Sequence, residues 1–323
     1  MRDQTHVSLG ALMRLIHAGR ILILSTLVLN FNVSKSVAEG PGSQRSEAGE
    51  WPQKVVVTVG GIRTRIDGPK LWTLSGIDFQ DSVLATENSA YGSVLTIRNV
   101  GHLGTAHFLD VPGKPGQVEK EQVTSLQLFV DEKSVSEFTP TMALAGGSFR
   151  MERKSTIRTM HLESSVVLQD EILTETVHFH ATAPLDLQNT YPWMYAFTHK
   201  ATAYLFTDKT GVQQRGTFRA EGKPGSRVFQ NADWMAVFDP SSGKGAVCCL
   251  LKHPPMAEGS LLLVDAPGSY RKVAAYSLVD KIVPKGFEGT YKSAVGFFKA
   301  TEGDWEQHAI RRADEIKAVI TER

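Results

Sequence analysis

The stretch from residue 156 to residue 197 constrains the fold most, because it holds two runs of alternating apolar and polar residues around Asp170-Glu171. Successive residues of a β-strand point to opposite faces, so a two-residue turn at Asp170-Glu171 would align the apolar residues of both runs on one face. The opposed apolar pairs would be Leu168 with Leu173 and Leu162 with Phe179. The opposite face would carry His161, Glu163, His178 and His180. A shift of one residue would pair apolar with polar side chains, so the pattern predicts this register.

The rest of the chain also reads as short strands, separated by turn sequences such as Gly60-Gly61 and the stretch 222–225. Many short strands with turn signals between them are typical of an all-β sandwich or barrel. The predicted strands outside the central pair are 54–59, 71–74, 93–97, 123–130, 134–138, 203–206, 214–220, 234–238, 246–251, 261–264, 272–278 and 289–298.

The end of the chain has a helical pattern instead. Thr301 is followed three residues later by Asp304, as at the start of a capped helix. Apolar residues then recur at helical spacing, at Trp305, Ala309, Ala313, Ile316 and Ile320. We therefore predict one amphipathic helix over residues 301–323, packed on the sandwich.

Residues 1–38 have the composition of an export signal. Arg14 and Arg20 precede an apolar run over 21–29, and Ser36-Val37-Ala38 supplies the small residues of a cleavage site. Residues 39–52 are rich in Gly, Ser, Pro and Glu, which predicts a flexible leader before a β domain over 53–300. The chain is thus expected to be secreted or periplasmic, without stable membrane insertion of its mature part. An uncleaved membrane anchor is the alternative.

Charge argues against one class of partner. The 323 residues include 35 Lys and Arg against 34 Asp and Glu. A nucleic-acid-binding protein normally has a basic excess or a basic stripe, so we expect no nucleic-acid partner. The oligomeric state stays open.

The strand that ends in "LTETVHFHATAP" and the following "LDLQNTYPWMYAF" resemble a motif of the galactose mutarotase-like superfamily. This group includes aldose 1-epimerases and related domains of polysaccharide lyases and glycoside hydrolases. Asp186-Leu187 and Pro192-Trp193-Met194 carry the match. The resemblance implies an antiparallel supersandwich, here with one C-terminal helix, and a carbohydrate ligand.

The resemblance also implies site residues. The epimerases have a histidine as general acid, and its position falls on Tyr191, allowing one inserted residue. Tyrosine has an unperturbed pKa of about 10, which suits the proton donor of a lyase better than that of an epimerase. Epimerases also carry a late carboxylate base, and residues 246–255 hold no counterpart.

A histidine before the central hairpin often lies in the sugar groove of this superfamily. His107 matches best by position, and a neutral imidazole can take the proton alpha to a uronate carboxyl. We therefore predict His107, Tyr191 and His199 as catalytic residues. The predicted substrate-binding residues are His102, Trp193, Tyr195, Lys252 and His253. Histidines satisfied by the backbone, buried aromatic rings and solvated surface charges are the structural alternatives.

The polar face of the central pair offers a different site. His161, His178 and His180, with Glu163, could form a nitrogen and oxygen shell for a divalent metal. An ordinary solvent-facing sheet surface is the alternative, and we otherwise expect no cofactor.

The sequence therefore predicts an exported β-supersandwich that acts on a polysaccharide or oligosaccharide, with lyase-like His and Tyr acid–base chemistry. Two other hypotheses stay open. The chain could be a non-catalytic glycan-binding module, or a metal-dependent enzyme that uses the histidine cluster.

Overall fold

A computed structural model of the chain describes residues 51–86, 94–104, 121–208, 210–221, 226–256 and 260–321. His107, the proposed signal over 1–38 and nearly all of the proposed leader lie outside the described residues.

The described residues form 22 strands and one α-helix, with one short 3-10 turn at Gly68–Lys70. In chain order the strands are β1 (Lys54–Val59), β2 (Ile62–Asp67), β3 (Thr73–Phe79), β4 (Ser82–Ala85), β5 (Val94–Ile97), β6 (Gly101–Gly104), β7 (Gln122–Val130), β8 (Lys133–Ser134), β9 (Thr141–Gly146), β10 (Ser148–Ile157), β11 (Met160–Gln169), β12 (Ile172–Ala181), β13 (Leu185–Tyr191), β14 (Met194–Thr198), β15 (Ala203–Asp208), β16 (Gln213–Thr217), β17 (Ser226–Asp239), β18 (Lys244–Lys252), β19 (Ser260–Ala266), β20 (Tyr270–Tyr276), β21 (Lys281–Val283) and β22 (Glu288–Lys299). The helix α1 is Trp305–Thr321.

Eighteen of these strands belong to one sheet that folds over on itself. Its first layer has the order β8, β7, β10, β11, β12, β22, β18, β17, β15 and β16. Its second layer has the order β9, β1, β2, β3, β4, β14, β20 and β19. The long strand β17 joins the layers, because its first half pairs with β19 and its second half with β18.

Nearly all pairings are antiparallel, and β1 with β9 is a parallel exception. The predicted all-β sandwich with a C-terminal helix is therefore confirmed. Strand 54–59 has the predicted bounds, whereas 134–138 is a strand only at its first residue, Ser134.

The central hairpin has the predicted register. Leu168 pairs with Leu173, Leu162 with Phe179, His161 with His180 and Glu163 with His178. Asp170 and Glu171 both have positive φ, at 54° and 56°, as the two central residues of a type I′ turn require. The alternation of the flanking strands thus selects the turn conformation, even though Asp-Glu is not the preferred dipeptide for it.

A second sheet has the order β21, β13, β5 and β6. Apolar residues of this small sheet, such as Leu187 and Leu103, pack on Leu162, Phe179 and Tyr291 of the first layer. The main core lies elsewhere, between the first and second layers. The inner face of the first layer is thus covered by two different partners, the second layer at one end and the small sheet at the other.

Helix α1 covers part of the outer face of the first layer. Trp305, Ala309, Ala313 and Ile316 are buried there against β17, β18 and β22. The Trp305 ring stacks on Phe238, with 5.2 Å between ring centroids. Thr301 donates its backbone N–H and its hydroxyl to the Asp304 carboxylate, at 2.7 Å each, just before the helix. In the part of the chain that the structure describes, no helix is both long and apolar enough to cross a bilayer.

Candidate functional site

Two of the predicted site residues lie on the small sheet. Tyr191 ends β13, and His102 lies on β6, with β5 between the two strands. Neighbouring strands are about 4.8 Å apart, so the two positions are on the order of 10 Å from each other. His107, the predicted base, falls outside the described residues.

A chain of hydrogen bonds crosses the outer face of this sheet. Thr96 Oγ1 donates to Asn189 Oδ1 at 2.9 Å and lies 2.8 Å from His102 Nδ1. A hydroxyl has one proton to donate, so His102 Nδ1 must be the donor in the second contact. When the ring is neutral, its lone pair is then on Nε2, the atom that can accept a proton.

Tyr191 lies on the same face by strand alternation, since it is two residues after Asn189. Its ring contacts Tyr276, with 5.0 Å between ring centroids, and both tyrosines are half-buried. We call this set the tyrosine face, defined by Thr96, His102, Asn189, Tyr191 and Tyr276.

The structure separates the other predicted site residues from Tyr191. His199 is exposed in the turn after β14, so the five residues of β14, about 16 Å of strand, lie between the two side chains. Lys252 and His253 are exposed at the end of β18, which is not part of the small sheet. His253 lines a different cavity with Asp208, Asp233 and Lys317.

The aromatic residues predicted to bind substrate are interior. Trp193 and Tyr195 are each 1% exposed, and Trp234 is also buried. Trp193, between β13 and β14, and Tyr195 of β14 pack in the main core, and Trp234 of β17 packs under helix α1, so their ring faces are not available to a sugar. Trp193 and Tyr195 are therefore not surface substrate-binding residues in this structure.

The three histidines of the proposed metal site lie on the outer face of the first layer. The rings of His161 and His180 are 6.4 Å apart, and His178 Nδ1 is 3.2 Å from Thr290 Oγ1. Glu163 accepts a hydrogen bond from Lys154 at 2.8 Å. Among the described residues, no three His, Cys, Asp or Glu side chains are grouped so that they could hold a metal ion.

An acid that the sequence interpretation passed over lies on the inner face of the first layer. Glu175 of β12 is at an inward position between Leu173 and Val177, and it accepts a hydrogen bond from the Tyr195 hydroxyl of β14. Burial raises the pKa of Glu175 to about 7, against the opposing effects of the Tyr195 hydrogen bond and the Arg153 charge. The carboxyl can therefore exchange a proton near neutral pH.

A buried ion pair lies near Glu175. Arg153 of β10 contacts Glu121 at 3.0 Å, and both side chains are at most 4% exposed. Ser155 donates to the same Glu121 oxygen at 2.5 Å, and Arg153 donates to the Leu71 carbonyl at 2.5 Å. We call Arg153, Glu121, Ser155, Glu175 and Ser293 the polar band, because they lie between the two apolar cores.

One signal could have revealed the polar band from the sequence. In the alternation of β12, Glu175 occupies an inward position between two apolar residues, and in β10 Arg153 occupies an inward position next to the apolar Met151. A charged residue at an inward position is rare unless it is paired, so each exception marks a candidate site.

Comparisons with known proteins show likeness in fold. No protein-family model matches the chain, and no curated protein matches its sequence. A putative aldose 1-epimerase from Escherichia coli K12 aligns with 76% of this chain and 99% of its own, at 10% identity and a TM-score of 0.44.

Two further structures are similar in the same sense. A galactose mutarotase-like protein from Lactobacillus casei aligns with 76% of this chain and 100% of its own, at 9% identity and a TM-score of 0.44. An alpha-galactosidase from Lactobacillus brevis aligns with 77% of this chain and 40% of its own, at 8% identity and a TM-score of 0.49.

Proposed function

We propose that this protein is an exported carbohydrate-active protein, and that its sugar site is the tyrosine face. The observation that carries the proposal is the placement of Tyr191 and His102 on one face of one small sheet. The half-buried rings of Tyr191 and Tyr276 and the exposed His102 ring border this face, and the Thr96 hydroxyl and Asn189 amide that hold the imidazole are buried. Sugars present apolar C–H faces and many hydroxyl groups, and such a surface can bind both.

The chemistry that these groups support best is β-elimination from a uronate-containing chain. A neutral imidazole takes the proton alpha to the carboxyl, so a C–H bond breaks and a C=C bond forms. The C–O bond to the leaving sugar breaks at the same time, and Tyr191 gives its proton to that oxygen. His102 Nε2 is one candidate base, and His107 is the other.

A spectroscopic assay tests the elimination. The purified protein is incubated with a panel of uronate-containing polysaccharides, and the ultraviolet absorbance of the unsaturated product is followed. Tyr191→Phe keeps the ring and removes only the proton, so the rate is expected to fall at least about 100-fold.

Tyr270→Phe is the matched control, because Tyr270 is also half-buried but lies at the far end of β20. Its rate should stay within about 2-fold, since general-acid effects require contact with the reacting group. His102→Ala and His107→Ala, assayed in parallel, identify the base. Equal rates for the wild type and Tyr191→Phe would rule out Tyr191 as the proton donor.

A non-catalytic glycan-binding module is the second candidate. The contact between Tyr191 and Tyr276 favours it, because a tyrosine pair can hold a sugar without any acid or base. For such a module, calorimetry would detect glycan binding that Tyr276→Ala weakens, and no product would form at any protein concentration.

The export part of the proposal rests on residues 1–38. N-terminal sequencing of the protein recovered from the periplasm or the medium should begin at Glu39. A mature protein that still began at Met1 would contradict it.

A further inference from the structure

Strand β17 changes partners along its length, and a cavity lies at the point of change. Trp234 pairs with Cys249 of β18, whereas Ala232 pairs with Leu261 of β19, so β18 and β19 diverge beside residue 233. The cavity has a volume of about 500 Å³, within the range of roughly 300–1,000 Å³ that is common for small-molecule sites. We call it the fork cavity, and it is lined by Thr207, Asp208, Gly211, Ala232, Asp233, Leu250, His253 and Lys317.

Two β-bulges lie at the fork cavity. Asp233 is the extra residue of the first bulge, because β15 pairs with Trp234 and Ala232 on either side of it. The second bulge, in β18, ends at Lys252, one residue before His253. A bulge bends its strand and changes the direction of its side chains, and bulges are frequent next to binding sites. The bulges therefore help to direct Asp233 and His253 to the cavity that both residues line.

Asp208 presents a fixed carboxylate to the cavity. Its Oδ1 accepts hydrogen bonds from the Thr210 hydroxyl at 2.6 Å, from the Thr210 N–H at 2.9 Å and from the Val212 N–H at 3.0 Å. The Thr210 hydroxyl contributes most to lowering the pKa of this carboxyl, and the backbone N–H groups add to the effect. In the part of the chain that the structure describes, Oδ2 has no hydrogen-bond partner and Asp208 has no ion pair. A carboxylate of this kind suits a ligand that carries a cation.

The other polar groups of the cavity leave acceptor atoms available. Lys317 of α1 donates to Asp233 Oδ2 at 2.5 Å, which neutralises this pair and leaves Asp233 Oδ1 as an acceptor. His253 Nδ1 lies 3.3 Å from the Pro254 carbonyl, which can only accept, so the neutral ring has its lone pair on Nε2. The lining holds two carboxylates against one ammonium group, so its net charge is negative when His253 is neutral.

These features restrict the class of ligand. Among the described residues, no three His, Cys, Asp or Glu side chains are grouped so that they could hold one metal ion. The acceptors therefore suit a molecule with hydrogen-bond donors at several positions. The net negative charge of the lining favours a cationic ligand over an acidic one. A protonated amino sugar has an ammonium group and several hydroxyl groups on one ring, and it matches both requirements.

We propose that the fork cavity binds an amino sugar, with its ammonium group on Asp208 and its ring hydroxyl groups on Asp233 and His253. The cavity binds the ligand without making or breaking a covalent bond. That the ligand is a sugar rests on the proposed function, whereas the selection of an ammonium group by Asp208 does not.

Isothermal titration calorimetry on the purified protein tests the site. Glucosamine, at a pH at which its amine is protonated, should bind saturably. Glucose and N-acetylglucosamine should bind at least about 10-fold more weakly, because neither carries the charge. Asp208→Asn keeps the shape of the side chain and removes its charge, so the Kd for glucosamine should rise at least about 10-fold.

Asp131→Asn is the matched control. Asp131 also fixes a turn by accepting two backbone N–H groups, but it follows β7, toward the opposite edge of the first layer from β15. Its Kd for glucosamine should stay within about 2-fold of the wild type, since a distant exposed charge is screened by salt.

His253→Ala provides a second variant, at an exposed residue whose loss should not prevent folding. Loss of one hydrogen bond to a ring hydroxyl should raise the Kd for glucosamine about 3-fold or more. Each of four results would overturn the proposal: no binding of glucosamine at millimolar concentrations, equal affinity for N-acetylglucosamine, equal affinity for cyclohexylamine, which lacks the hydroxyl groups, or an unchanged Kd in both variants.

The two proposals fail in different ways. If Tyr191→Phe retains full lyase activity but glucosamine binding depends on Asp208, the tyrosine face is wrong and the fork cavity stands. If Tyr191→Phe is inactive and glucosamine does not bind, the fork cavity proposal is wrong and the tyrosine face stands.

Discussion

Glu163 and Glu175 lie on adjacent strands of the same layer but on opposite faces. Glu163, on the outer face, is 60% exposed, and the neighbouring Lys154 ammonium lowers its carboxyl pKa. Glu175, on the inner face, has its pKa raised to about 7 because burial penalises the charged form more than its partners favour it. The direction of the shift is thus set by the face of the sheet and not by residue type or strand.

The basic residues Arg153 and Lys154, which are consecutive in β10, show the same difference between the two faces. Lys154 pairs with Glu163 in water, whereas Arg153 pairs with Glu121 in the interior. An exposed pair is screened by solvent and contributes little, while a buried pair that loses one member leaves an uncompensated charge. The inner pair should therefore respond to substitution much more strongly than the outer one.

The largest expected effect on stability comes from breaking the buried ion pair of Arg153 and Glu121. Arg153→Met leaves the Glu121 carboxylate buried without its cation, so the free energy of unfolding should fall by about 3–5 kcal/mol. Urea denaturation followed by tryptophan fluorescence measures it. Lys154→Met is the matched control on the neighbouring residue, and its midpoint should be close to that of the wild type. Similar losses for both variants would show that the two faces do not differ.

The next effect is the pH dependence that Glu175 confers. Between its ordinary pKa of 4.5 and the folded value of about 7, the folded state holds a proton that the unfolded state has released. The free energy of unfolding should therefore fall as the pH rises through this window, by at most about 1.4 kcal/mol per pH unit. Denaturation at pH 5, 6, 7 and 8 measures the slope.

Glu175→Gln is neutral at every pH and should remove this contribution. The change is found by comparing the slope of the variant with that of the wild type over the same four pH values. An unchanged slope would mean that Glu175 is ionised throughout and that the inner face is better solvated than the structure indicates.

A smaller effect is expected at Tyr195. Tyr195→Phe removes the hydroxyl that donates to Glu175, so stability at pH 8 should fall by about 1.5–3 kcal/mol, as for loss of a hydrogen bond to a charged group. At pH 5, where Glu175 is neutral, the loss should be smaller. A loss that is equal at both pH values would indicate that the variant disturbs only the packing.

The smallest effect is expected on the outer face. His178→Ala removes a half-buried ring that contacts Thr290, and stability should change by no more than about 0.5 kcal/mol. Elemental analysis of the purified protein should show the same metal content for the variant and the wild type. A drop in bound metal would instead favour the metal site predicted from His161, His178 and His180.

Part of this architecture can be predicted from the sequence because it depends on short-range periodicity. Alternation over 160–181 predicts the register of β11 and β12, since a slip of one residue would expose the apolar set. The spacing of Trp305, Ala309 and Ala313 predicts the buried face of the C-terminal helix in the same way. Both patterns act between residues that are neighbours along one element or across one turn.

The candidate sites depend on contacts between distant segments. Tyr191 and His102 are predicted as individual residues, but only strand pairing places them on one sheet. Trp193 and Tyr195 are aromatic, as residues that bind sugars often are. In the fold they are instead buried in the main core between the two layers.

The sequence by itself determined which residues of each strand share a face, because alternation is a property of the extended backbone. Only the tertiary structure decided which of those faces meets water, which meets the second layer and which meets the small sheet. Glu175 depends on that choice, because the charged state of a carboxyl is set by the solvent and charges within a few ångströms. Those neighbours, Tyr195 of β14 and Arg153 of β10, come from other strands of the fold.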